Sequence, residues 1–136
     1  MKTTALIEKG TDGTFTIFTH DLQHTTIGEG DTVEEAKADF ENSVTEMIRS
    51  YGNQDLPKEL KDLDFQFKYD ISSMFDYFRF VNVTQFAKTA GISPSLLRQY
   101  KAGNTYISER QITKIETALH KIGRELSTVK LVYFPL

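Results

Sequence analysis

The stretch that most restricts the fold runs from Asn82 to Ile107, NVTQFAKTAGISPSLLRQYKAGNTYI. Asn82 is an N-cap residue, and Phe86, Ala87 and Ala90 follow at helical spacing. Gly91 ends that run, and a glycine there admits the left-handed backbone that a sharp reversal needs. Ile92 is an apolar plug for the angle between two helices. Ser93 then caps a second run, and Pro94 sits at its first position, where a missing N–H leaves nothing unpaired. Leu97 and Tyr100 form the inward side of this second helix, and Gly103-Asn104 closes it. The expectation is two short helices that cross at Ala87, whose small side chain allows close approach.

The outer side of the second helix carries Ser93, Pro94, Ser95, Arg98, Gln99 and Lys101. The fork of Arg98 matches a guanine edge and the amide of Gln99 an adenine edge, while Ser95 suits either. Lys101 and the amides near Ser93 suit phosphates. Ser108 to Gln111 is a capping box for a further helix, with Ile112, Ile115, Leu119, Ile122 and Leu126 as its apolar stripe. That stripe reads as a core face or as a dimer seam. Ser127 to Leu136, STVKLVYFPL, reads as a strand or a docked tail.

Upstream, Thr3–Lys9 and Thr14–Thr19 are rich in β-branched residues and flank an Asp12-Gly13 turn, the pattern of a hairpin. A third, shorter strand is expected over 25–28. Thr32 to Glu35 is a capping box, in which the Glu35 carboxylate reaches back to the Thr32 amide. The helix it opens keeps Val33, Ala36, Phe40, Val44, Met47, Ile48 and Tyr51 on one side and ends at Gly52-Asn53. After Leu56-Pro57, Leu63, Phe65, Phe67 and Tyr69 alternate with polar residues, which predicts a strand buried on one face. Asp70 to Phe80 has helical spacing and is assigned to the second unit. The expected fold is α+β. Residues 1–70 form a β-β-β-α-β domain with one helix on an antiparallel sheet, and residues 71–136 an all-α domain with a short extended C-terminal tail.

Charge divides the chain in the same way. The net charge is −3, but through Phe80 there are 8 Lys and Arg against 16 Asp and Glu, and from Val81 onward 8 against 3. An acidic first part and a basic second part imply partners of opposite sign, with nucleic acid suited to the basic one. Cysteine is absent, which excludes disulfides, thiolate metal sites and cysteine nucleophiles and accords with a reducing cytoplasm. Neither a membrane span nor the apolar core of a signal peptide is legible.

Over Ile71 to Leu126 the helices, turn, loop and final amphipathic helix resemble the helix-turn-helix domains of Cro and phage repressors. Nearly the whole chain resembles a HicB-type antitoxin. The matching N-terminal residues are the hairpin, then Asp21-Leu22, Thr26, Gly28, Gly30, Asp31-Thr32 and Glu35-Ala36. Where that family has a Pro-Asp-Leu-Pro-Gly-Cys-like turn, this chain has His20-Asp21-Leu22-Gln23-His24-Thr25 and keeps only Asp-Leu. The resemblance implies a truncated ribonuclease-H-like first domain without nuclease activity, which would silence a small basic HicA-type ribonuclease toxin. It also implies a second domain that binds the operator DNA of its own operon, as a dimer or higher homo-oligomer, and represses it.

Another reading is a stand-alone helix-turn-helix regulator whose first domain senses a ligand or dimerises. An enzymatic reading would need clustered carboxylates holding metals. Asp12, Asp21, Glu29 and Asp31 are the candidates, but they fall in a turn, in a loop and at a helix entry, and none stands within a predicted strand. His20 and His24 are four apart in a segment read as loop or strand, with no third ligand evident. We therefore expect a cytoplasmic binding protein with no catalytic residue, no metal and no cofactor.

Overall fold

The structure, a computed structural model, describes residues 2–19, 22 and 25–133. Among these the fold is α+β, with a four-stranded mixed sheet and five helices. The chain divides into two compact units, Met1–Tyr77 and Phe78–Leu136.

In the first unit β1 (Lys2–Lys9) and β2 (Phe15–Thr19) form the hairpin, with Ile7 opposite Ile17. Asp12 builds its turn: Oδ1 accepts from the Thr14 hydroxyl at 2.7 Å and from its amide at 3.0 Å, and Gly13 takes a φ of 86°. These two bonds, the hydroxyl foremost, hold the Asp12 carboxyl below its ordinary pKa. The third strand, β3, spans Ile27–Gly30, two residues later than expected. Its two glycines, Gly28 and Gly30, lie directly under α1 (Val33–Arg49). A Cβ on Gly28 would overlap the Phe40 backbone nitrogen and stand 2.6 Å from the Ala36 carbonyl oxygen; one on Gly30 would stand 2.6 Å from the Ala36 nitrogen.

The Thr32 hydroxyl caps α1 by accepting from the Glu35 amide at 3.1 Å. The Glu35 carboxylate reaches one residue further than expected and accepts from the Asp31 amide at 2.9 Å. Asp39 likewise accepts from the Glu29 amide at 2.8 Å. Two carboxylates of α1 thereby satisfy one amide on β3 and one just after it.

The expected antiparallel sheet is corrected at β4 (Asp64–Tyr69). The strand order is β3-β2-β1-β4, and β4 runs parallel to β1 with Ala5 opposite Phe67. The reason is parity. Three hairpin-linked strands alternate in direction, so β3 points the same way as β1. The contacts of Gly30 with Glu35 and of Gly28 with Phe40 show α1 running back along β3. The next strand must then point as β3 and β1 do.

Ala5, Ile7, Phe15, Ile17, Val33, Ala36 and Phe40 form the core between sheet and helix. Phe40 is fully buried and meets Phe65 and Phe67 edge-on, with ring centroids 4.9 Å and 6.0 Å apart. Lys37 of α1 lays its ammonium over the Phe67 ring at 4.9 Å.

The helix expected over 70–80 is α2 (Ile71–Tyr77), and it belongs to the first unit rather than the second. The Asp70 carboxylate caps it by accepting from the Ser73 amide at 3.2 Å, and Ser73 Oγ accepts from the Lys9 amide at 3.0 Å. Tyr77 packs edge-on to Phe15, at 5.2 Å, and stacks on Tyr69, at 6.0 Å. Burial there lifts the Tyr69 phenol above its ordinary pKa, with Tyr77 and Glu34 adding to the effect. Moving the boundary to Tyr77 sharpens the charge division. The first unit holds 7 Lys and Arg against 16 Asp and Glu, and the second 9 against 3.

The second unit contains α3 (Val83–Ala90), α4 (Pro94–Ala102) and α5 (Glu109–Leu126). Phe86, Ala87, Leu97, Tyr100, Ile115 and Ala118 are buried within the chain. Of the α5 stripe, Ile115 is buried while Ile112 and Leu126 are 41% and 55% exposed. Residues 127–133 of the tail form no strand, and Phe134, Pro135 and Leu136 lie outside the described residues.

The two glycine environments predict opposite outcomes. Gly28→Ala should destabilise the first unit by about 3 kcal/mol or more, because strand and helix must move apart. Gly123→Ala, in open space on α5, should stabilise the second by about 1 kcal/mol. Urea titrations read by amide hydrogen exchange in each unit would check both.

Candidate nucleic-acid interface

Local chemistry sets the ends of α3 and α4. Asn82 Oδ1 accepts from the Gln85 amide at 3.0 Å, and Ser93 Oγ accepts from the Leu96 amide at 3.1 Å. Both helices end on a left-handed glycine, Gly91 at φ 72° and Gly103 at φ 77°. The following residue then donates back five positions: Ile92 N–H to the Ala87 carbonyl at 3.0 Å, and Asn104 N–H to the Gln99 carbonyl at 3.1 Å. A Cβ on Gly91 would meet nothing within 4 Å, so glycine is there for backbone conformation alone.

Ala87 and Leu97 are fully buried and Ile92 is buried between them in sequence, as the inward assignments require. The α5 cap forms by half: Ser108 Oγ accepts from the Gln111 amide at 3.2 Å. The Gln111 side chain is spent elsewhere, donating from Nε2 to the buried Tyr100 hydroxyl at 3.3 Å, which ties α5 to α4.

The outer residues are placed as follows. Ser93, Ser95, Arg98 and Gln99 are exposed, while Pro94 and Lys101 are half-buried. Ser93 has its oxygen engaged in the cap, and Pro94 brings only ring surface. Arg98 and Gln99, adjacent in sequence, turn to different sides of α4. Arg98 Nη2 donates to Thr84 Oγ1 on α3 at 3.2 Å. Gln99 Oε1 accepts from Thr105 Oγ1, in the loop after α4, at 3.2 Å. The sequence reading missed Thr84 and Thr105. They lie 14 and 6 positions from their partners, outside the helix whose periodicity was being read. Lys88, Arg110 and Arg124 are further exposed cations of this unit, and His120 on α5 is exposed as well.

Nothing in known protein families, curated proteins or solved structures matches this chain.

The other candidate residues do not assemble. Among the described residues no three His, Asp or Glu side chains stand together as metal ligands. Asp12 is occupied in its turn. Glu29, expected at a helix entry and outside any strand, lies within β3, and Asp31 directly follows that strand, while His20, Asp21 and His24 lie outside the described residues. Among the described residues no helix is long and apolar enough to cross a membrane. In the first unit an open cleft of about 360 Å³ lies between the start of β3 and the end of α1, lined by Thr26, Ser43, Met47, Ser50 and Tyr51 among others. None of its lining residues is charged.

Gly91→Ala should lower the melting temperature of the second unit by an amount equivalent to about 1–2 kcal/mol, the left-handed penalty of a Cβ. Gly91→Asn should cost less, since asparagine tolerates that region better. Thermal melts of the three chains would rank them.

Proposed function

We propose that this chain is an antitoxin of the HicB type and a repressor of its own operon. Its second unit would bind operator DNA through α3 and α4, and its acidic first unit would hold a small basic ribonuclease toxin. The observation that carries this reading is the capped, glycine-turned pair α3–α4. Two short helices, each with a side-chain N-cap and a left-handed glycine stop, are what a helix-turn-helix reading calls for, and Ser95, Arg98 and Gln99 are exposed on the second of them. A unit with 9 Lys and Arg against 3 Asp and Glu supplies the phosphate attraction on which non-specific affinity rests. The excess of 16 acidic over 7 basic residues through Tyr77 is what a cationic partner would be drawn to. Repressors of this kind bind as dimers, with half-sites about one helical turn, or a multiple, apart.

The cleft at the end of α1 favours a second reading, in which the first unit senses a small uncharged ligand and the chain regulates transcription alone. The two readings differ in the partner. Under the first, a basic protein encoded beside this chain co-purifies with it, and co-expression relieves that protein's toxicity. If neither happens, the antitoxin half falls while the DNA half stands.

For the DNA half, Arg98→Ala and Gln99→Ala should each weaken operator binding by about 1–3 kcal/mol while sparing random sequence. Lys101→Ala should weaken binding to any duplex and reduce the salt slope by roughly one unit. Titrations on operator and scrambled duplexes at several salt concentrations would separate these effects, and equal losses on both duplexes for all three variants would remove the assignment of base readers.

A further inference from the structure

We infer that two threonine hydroxyls outside α4, Thr84 and Thr105, are positioning residues that aim Arg98 and Gln99 at two separate base pairs. This rests on the reading of α4 as the duplex-facing helix and concerns how that helix chooses its sequence.

Arg98 and Gln99 are neighbours and exposed, and a long exposed side chain ordinarily samples many rotamers. Here each is held at its tip. The Arg98 fork gives one Nη2 hydrogen to Thr84 Oγ1 at 3.2 Å and is thereby drawn toward the start of α3. Its remaining N–H groups stay available for a base edge. The Gln99 amide is drawn the other way, toward the loop that closes α4, by the Thr105 hydroxyl at 3.2 Å. That loop is itself anchored, because the Asn104 amide donates to the Gln99 carbonyl at 3.1 Å. Gln99 therefore holds the loop by its backbone and is held by it through its side chain.

The two tethers differ in what they fix. Thr84 fixes a direction, since a guanidinium donates from every side. Thr105 also fixes which end of the amide is which. By donating to Oε1 it places the carbonyl on the loop side and turns the amino group outward. One Oε1 lone pair remains, so the paired donor and acceptor needed for adenine survive in a single orientation rather than two. Both hydroxyls are peripheral to the core. Their removal should leave folding intact and change only how sharply the two side chains read.

The test is selection from a random-sequence duplex library with the full-length protein, comparing wild type, Thr84→Val, Thr105→Val, Arg98→Ala and Gln99→Ala. Valine keeps the shape and removes the hydroxyl. Wild type should select a defined motif. Thr84→Val should blur the base pair that Arg98→Ala blurs, and Thr105→Val the different base pair that Gln99→Ala blurs. Each loss should be about tenfold in preference at that position, the weight of one well-formed bidentate contact. Thr84→Ser and Thr105→Ser, which retain the hydroxyl, should restore the wild-type motif, and all variants should melt as wild type does. Motifs for the valine variants identical to wild type would overturn the inference and leave DNA reading standing. So would a uniform loss on every sequence, which would make the hydroxyls merely structural. If wild type selects no motif while binding duplex weakly or not at all, the DNA reading itself fails and this inference falls with it.

Discussion

In the first unit most other contacts follow from how closely the backbone of α1 approaches the backbone of β3. Gly28 and Gly30 carry no side chain on the side where the helix lies, and Ala36 answers with a small one. That close approach sinks Phe40 deep enough to reach the rings of Phe65 and Phe67. It also fixes the direction of α1, and through it the parallel pairing of β4 with β1. A larger residue at position 28 would change more than one contact. It would lift the helix off the sheet and open the space that Phe40 fills.

The second unit uses glycine for a different end. Gly91 and Gly103 face open space, and what they supply is the left-handed turn that stops each helix. The two stops set the length of α4, and with it the position of the loop that begins at Gly103. Thr105 can reach Gln99 only because the chain reverses there. Thr84, on α3, meets Arg98 at 3.2 Å across the turn that Gly91 makes possible. The side-chain arrangement on the outer helix is thus a consequence of how the helices end.

Much of this was legible because the chemistry is local. Asn82, Ser93 and Ser108 cap the helices they stand before, and the alternation at Phe65, Phe67 and Tyr69 marks a strand whose aromatic side faces the core. The failures have a shared cause, which is that long-range partners leave no periodic signal. Helical spacing at Met74 and Phe75 identifies α2 as amphipathic without saying which unit it joins. That was decided by Ser73 and the Lys9 amide, 64 residues apart. The third strand was expected over 25–28 and lies over Ile27–Gly30, because the residues that pack on Gly28 and Gly30 belong to α1, outside the strand itself. The direction of β4 needed no side chain at all, only a count of reversals. Glu35 and Gln111 were assigned to the backbone amides of their own cap residues, and each side chain goes elsewhere: to the Asp31 amide and to the Tyr100 hydroxyl.

The carboxylates of Asp39 and Glu35, on the amides of Glu29 in β3 and of Asp31 just after it, bear on how copies of this unit could associate. A sheet propagates into a fibre by joining one edge to the opposite edge of the next copy, which needs both edges receptive. Here the β3 side is already answered from within the molecule, at Glu29 and at Asp31. An incoming strand would find those two donors on the β3 side already taken. Asp39 and Glu35 of α1 thus shield part of a sheet edge that would otherwise present bare donors.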